Sequence, residues 1–131
     1  MKSVKFIPKH ILVYFHEQLI MIYGGRIGIC DESLLDSAFA QPNAMFGGSY
    51  LHDSLPKMAA AYGFHLCSNH PFIDGNKRIA LVAMVTFLQQ NGCEIVSSEK
   101  EVYAVIMKLA AKELSKEDLA GWLEQNITEA K

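Results

Sequence analysis

The stretch from Ile79 to Leu88 is ten residues long and is interrupted only by Thr86. It sits inside a longer segment, Asn76 to Gln90, that is apolar on nearly all sides, at Ile79, Leu81, Val82, Met84, Val85, Phe87 and Leu88. A bilayer span needs about 20 apolar residues, so this run is too short to cross one. A helix with apolar side chains all round has no face to give to water and lies at the centre of a domain. Asn91-Gly92 ends it. The rest of the chain has to be arranged around this helix.

The flanking segments suit that task. A first helix is expected over His10 to Tyr23, with apolar residues Ile11, Leu12, Phe15, Leu19, Ile22 and Tyr23 recurring at three and four, and Gly24-Gly25 as its stop. Asp31 is an expected N-cap for a short helix through Leu34, Leu35 and Ala38 that ends before Pro42. Asn43 to Asp53 has no sustained period and reads as a loop or a small flap. Ser54 then caps a helix from Leu55 to about Asn69, with Pro56 in the first turn and Ala59-Ala60-Ala61 giving it propensity and a slim cross-section. Glu94 to Ser97 is an edge-strand candidate, with Lys5-Phe6-Ile7 as its partner. Ser98 and Glu101 form a capping-box pattern ahead of Val102, Val105, Ile106 and Leu109. Ser115 caps a last helix carrying Leu119, Trp122 and Leu123. The fold expected is all-α, one helix threaded through the others, in a single domain over residues 1–131.

Charge and cysteine content exclude several classes. The net charge is -2 with both signs interspersed, so the chain does not grip nucleic acid by bulk charge, and a helical DNA-binding regulator is a poor fit. Cys30, Cys67 and Cys93 are odd in number and widely spaced, with no C-x-x-C; they read as buried small hydrophobes in a reducing compartment. Met1 to Pro8 is too short in its apolar part for a leader and is broken by Pro8 and Lys9, which makes the cytoplasm the expected location.

The segment that carries chemistry is His70-Pro71-Phe72-Ile73-Asp74-Gly75-Asn76-Lys77-Arg78. It opens onto the N-terminus of the central helix, where unpaired N–H groups and the positive dipole end make an anion site. Gly75 lets the backbone approach a phosphate closely. Asn76 adds an amide donor, and Lys77 and Arg78 add positive charge. Asp74 is a lone carboxylate among phosphate-binding groups, the setting in which Mg²⁺ takes one or two carboxylates plus phosphate oxygens. His70 carries the side chain best tuned to remove a proton near neutral pH. These are the parts for phosphoryl or nucleotidyl transfer. Each has an ordinary reading too: a turn at Asp74-Gly75, an N-cap at Asn76, a solvated first turn at Lys77 and Arg78. Cations at a helix N-terminus oppose the dipole, however, and such local conflicts gather at functional sites. The nine residues together favour a site.

This string resembles the Fic/Doc motif, H-P-F-x-(D/E)-G-N-x-R, in the form of the death-on-curing (Doc) branch, which has N-K-R where most Fic proteins have N-G-R. Leu34-Leu35-Asp36-Ser37-Ala38, Gln41-Pro42 and the apolar helix ending in Asn91-Gly92 are similar to Doc-family segments in the same order, so the resemblance covers roughly Gly24 to Val96. It implies a Fic/Doc-type helical bundle and a toxin of a type II toxin–antitoxin system that uses ATP and Mg²⁺. His70 resembles the general base, Phe72 the buried anchor of the loop, and Asp74 the Mg²⁺ ligand. Gly75 and Asn76 resemble the phosphate-binding turn, and Lys77 and Arg78 the cationic pair facing the phosphates. Leu81 stands where the Fic form has a further Arg, and Lys77 where it has Gly. In the Doc branch the latter change goes with a reversed nucleotide, which implies phosphorylation of a target protein, in that family elongation factor Tu. A Fic-type adenylyltransferase and a non-catalytic nucleotide-binding module are the alternatives. No copy of the inhibitory pattern (S/T)-x-x-x-E-(G/N) is found, so a separate, Phd-like antitoxin is the implied partner.

The remaining residues have mostly bland readings. His65 is expected to be a satisfied core or supporting histidine, and His10, His16 and His52 to lie at the surface; no pair has zinc-ligand spacing. Met45-Phe46-Gly47-Gly48 is either a flap for a target segment or a mobile loop. Met58, Met84 and Met107 read as core filling, Trp122 as the anchor of the last helix, and Arg26 as a candidate for the pocket rim.

Overall fold

A computed structural model describes residues 3–129; Met1 and Lys2, the head of the segment read against a leader, lie outside the described residues. The apolar run forms α4, Asn76–Gln90, with Ile79, Ala80, Ala83, Met84, Phe87 and Leu88 all buried. Its main partner is α3, Leu55–Asn69, which Ser54 caps by accepting from the Lys57 N–H. Met58 to Gly63 are buried without a break, because small side chains let the two helices approach closely. The tightest approach is at Gly63, where a Cβ would collide with Met84 Sδ and reach within 3.3 Å of Leu119.

The other helices cover this pair. They are α1, Lys9–Tyr23; α2, Glu32–Ala40, capped by Asp31; α5, Glu99–Ala110; and α6, Lys116–Gln125. Two small antiparallel pairs complete the architecture, so the described residues form an all-helical protein with minor β content. The stretch 43–53 holds a hairpin flap, with β1 (Met45–Phe46) paired to β2 (Ser49–Tyr50). Gly47 and Gly48 both have positive φ, 59° and 83°, the backbone that a two-residue hairpin turn requires. No helix among the described residues is long and apolar enough to cross a membrane.

Several expectations are corrected. β3 runs Cys93–Ile95 and pairs with β4, Ile127–Glu129, rather than with Lys5-Phe6-Ile7. The N-terminal segment is held instead by side chains at the end of α4: the Lys5 N–H donates to Asn91 Oδ1, and Gln90 Nε2 and Asn91 Nδ2 donate to its carbonyl. The buried stripe of α1 is Leu12, His16 and Ile20, while Ile22 and Tyr23 are exposed. Ser98 and Glu101 do not form a reciprocal box, since the Glu101 carboxylate accepts from the Ser98 hydroxyl; the reciprocal box is Ser115 with Asp118. Met107 and Cys30 are exposed and Cys93 is half-buried. Trp122 flanks the core, which α6 enters through Leu119 and Leu123.

Two expected outcomes follow from this packing. Gly63→Val forces a branched side chain between Met84 and Leu119, and the denaturant midpoint should fall by the equivalent of about 1–3 kcal/mol. His65 is half-buried and accepts from Lys116 Nζ at 3.4 Å. Burial first, then Lys116, pushes its pKa down from 6.5 to about 4. The native imidazole is therefore neutral while the unfolded one gains a proton below about 6.5. The stability it carries is complete above pH 6.5 and drains away as pH falls towards 4. Thermal midpoints should drop across that window, and His65→Gln should flatten the drop.

Candidate functional site

The nine-residue string joins the end of α3 to the start of α4. Its first residue, His70, is exposed and takes a left-handed conformation, φ 46° and ψ 53°. That backbone is uncommon for a residue with a Cβ. Its neighbours hold it there. The Asn69 side chain donates to the Leu34 carbonyl at 3.0 Å. The Pro71 carbonyl accepts from the Cys30 and Asp31 N–H groups at 2.8 and 3.2 Å. Ile29 and Phe72 form an antiparallel bridge, and the Ile73 N–H donates to the Gly28 carbonyl. The α1–α2 connection is thus zipped alongside the string.

Phe72 is buried, only 2% exposed, as expected for an anchor. Asn76 is buried as well, and its side chain closes a ring with the Phe72 main chain: it accepts from the Phe72 N–H at 3.0 Å and donates to the Phe72 carbonyl at 2.9 Å. The Asn76 amide was expected to face a phosphate. Its oxygen and one N–H hold the loop, and at the helix start its backbone N–H is a further donor.

Gly75 is the N-cap of α4, with φ 79° and no side-chain cap. The first-turn N–H groups of Asn76, Lys77 and Arg78 are therefore left without intrahelical partners. A Cβ on Gly75 would lie 3.2 Å from Ile20 and 3.5 Å from His16 Nε2, so glycine is required for space as well as for φ. Asp74 is half-buried, and its Oδ2 accepts from the Arg26 N–H at 2.7 Å. Arg26 contacts the site through its backbone, steered there by Gly24-Gly25. Lys77 and Arg78 are both exposed, and the Arg78 guanidinium lies 4.5 Å above the Tyr23 ring.

His16 was expected at the surface and is 1% exposed. Its ring stacks on Phe72 at 3.7 Å and 12°, and Nε2 lies 2.7 Å from the Asp74 carbonyl. The signal was present in the sequence: Leu12, His16 and Ile20 recur every four residues, with the histidine in the middle of an apolar stripe. His52 is also buried, at 8%, and its Nε2 has no hydrogen-bond partner among the described residues. Desolvation, then Lys116 and Lys57, lower its pKa. It lines a cavity of about 490 Å³ with Lys57, Lys116 and Glu117, which contains none of the string's residues.

The turn at the head of the core helix α4 is basic and rich in free donors, an arrangement that can hold an anion, in a protein built of helices. The chain belongs to the Fic/DOC family, whose model matches residues 6–88. It is similar to a protein named Toxin Doc from Mycolicibacterium smegmatis, at 40% identity over 75 residues, covering 57% of this chain and 58% of that protein. It is also similar to Protein kinase doc of Escherichia phage P1, at 28% identity over 114 residues, covering 87% of this chain and 89% of that one. The chain thus matches little over half the length of the mycobacterial relative.

The Asn76 ring gives an expected outcome. Asn76→Ala leaves the buried Phe72 N–H and carbonyl unpaired, which should lower unfolding stability by about 1–3 kcal/mol per unsatisfied group. Urea denaturation of the purified variant measures it.

Proposed function

We propose that the chain is a cytoplasmic toxin of a toxin–antitoxin pair, an enzyme that moves the γ-phosphate of ATP to a hydroxyl of a target protein. The observation that carries this is the uncapped N-terminus of α4 behind left-handed Gly75, with His70, Asp74, Lys77 and Arg78 gathered in the same short string. Membership of the Fic/DOC family and the names of the two relatives support it.

In this reading the triphosphate rests on the Gly75 to Arg78 backbone, with Lys77 and Arg78 balancing its charge. The Asp74 carboxylate suits Mg²⁺: Oδ2 is steadied by the Arg26 N–H, and Oδ1 has no hydrogen-bond partner among the described residues. Bound there, Mg²⁺ would supply charge neutralisation at the phosphates. The His70 imidazole takes the proton of the acceptor hydroxyl. The new O–P bond forms as the bond from the γ-phosphorus to the β,γ-bridging oxygen breaks, and ADP leaves. Lys77 favours γ-transfer over adenylylation, because it adds bulk and charge where an adenylylating site needs glycine's open backbone. The target is a translation factor, elongation factor Tu by family likeness, and a Phd-like antitoxin holds the free enzyme in check.

The test uses the purified chain, Mg²⁺, a bacterial extract and ATP labelled on the γ- or the α-phosphate. Label from the γ position should reach one protein band and fall at least about 10²-fold in His70→Ala. Label from the α position would make the chain an adenylyltransferase. Labelling from neither, with ATP still bound, would favour a nucleotide-binding module.

A further inference from the structure

We infer that His16 is a positioning residue of the phosphate-binding turn, fixing the Asp74–Gly75 peptide so that the Gly75 N–H faces outward as an anion donor. The inference deepens the proposed function and rests on it for the identity of the anion.

A carbonyl oxygen only accepts hydrogen bonds. The 2.7 Å contact between His16 Nε2 and the Asp74 carbonyl therefore places a proton on Nε2. The ring has no freedom to turn away, since it is 1% exposed and stacked on Phe72 at 3.7 Å. The described residues contain no cis peptide, so the Asp74–Gly75 unit is trans and planar, and its C=O and N–H point to opposite sides. With the carbonyl held inward on His16, the N–H is directed away from it. No acceptor among the described residues takes that N–H.

The floor of the turn is built from the same ring. A Cβ on Gly75 would meet His16 Nε2 at 3.5 Å and Ile20 Cδ1 at 3.2 Å, so the glycine lies flat on both. His16 and Ile20 come from one face of α1, four residues apart. Donation into the Asp74 carbonyl also polarises the peptide and strengthens its N–H as a donor. His16 thereby adds the Gly75 N–H to those of Asn76, Lys77 and Arg78 on the face open to phosphate. It touches no reacting atom in this arrangement; it acts through the peptide.

The test combines spectroscopy with binding. Imidazole nitrogen spectra of the wild-type chain should show His16 protonated on Nε2, and the Gly75 amide proton should move upfield in His16→Phe. That variant keeps the stack and loses the donor. Titrations with Mg-ATP and with inorganic pyrophosphate should find about tenfold weaker binding to it, the loss expected for one hydrogen bond to a charged ligand. His16→Gln keeps an N–H donor and should bind within about threefold of wild type. In the transfer assay the KM for ATP should rise while that for the target protein holds. A proton on Nδ1 alone would overturn the inference, and so would a folded His16→Phe that binds both probes like wild type. If His16→Phe does not fold, the tautomer and the Gln variant still decide. If the wild type binds neither probe while the tautomer and the Gly75 shift are as expected, the ATP reading fails and the positioning role stands.

Discussion

Both hydrogen-bonding groups of the Phe72 main chain go to one side chain, that of Asn76. The rest of the site depends on this closed ring. The link between α3 and α4 has to reverse the chain beside the core and yet leave its backbone donors facing outward. A loop buried on one side normally needs sheet or helix partners for its polar groups. Here the first residue of α4 satisfies the anchor residue of its own entry loop. Phe72 is then free to bury its ring, His16 gains a surface to stack on, and Ile73 to Gly75 are left as a short arch pinned at both ends. The zipper along Gly28 to Asp31 fixes the arch from the other side.

The helices were legible because each was written in local terms. Asp31, Ser54 and Ser115 accept from the first-turn N–H groups they were expected to cap, and the apolar run is buried along one broad face, with Leu81, Val82 and Val85 half-buried on the other. The string from His70 to Arg78 stands out for the same reason, as contiguous residues at a helix start. What the sequence hid was long-range. The partner of Cys93–Ile95 lies past the last helix, and a three-residue strand has too little pattern to name its mate. His16 lies 58 residues from Asp74: its place in the stripe with Leu12 and Ile20 marks it for burial, but nothing local names the loop it meets. His52 misleads similarly, since burial without a partner leaves no mark in a sequence.

The charges at helix starts bear on the site: α1 and α3 also lack an acid in the first turn, but their lysines there, Lys9 and Lys57, are paired, Lys9 with Glu32 and Asp36 and Lys57 with Asp53. Glu32 opens α2, Glu99 and Glu101 open α5, and Glu117 and Asp118 open α6, each an acid near the positive dipole end. No acid stands in the first turn of α4, which instead carries Lys77 and Arg78. Misplaced charge of this kind costs roughly 0.3–1 kcal/mol per group. The Tyr23 ring eases part of it by taking the Arg78 guanidinium on its face. A bound polyanion reverses the sign, since dipole and cations then act on it together. The arrangement is unfavourable for folding alone and favourable for holding phosphate.

The backbone of His70 carries the same message in another form. It follows the last residue of α3 in the left-handed region, a place that glycine fills at little cost and other residues at about 1–2 kcal/mol. Nothing in the fold asks for an imidazole there, since the residue is exposed and the constraint acts only on φ and ψ. Strain of this type persists where neighbours over-determine it, and Asn69 and Pro71 on either side are both tied to α2 and its entry. The scaffold thus holds a strained, solvent-facing histidine at the edge of a turn rich in anion donors. A sequence shaped for stability alone would place glycine at that position, and the general-base role proposed for His70 would account for the cost of an imidazole there.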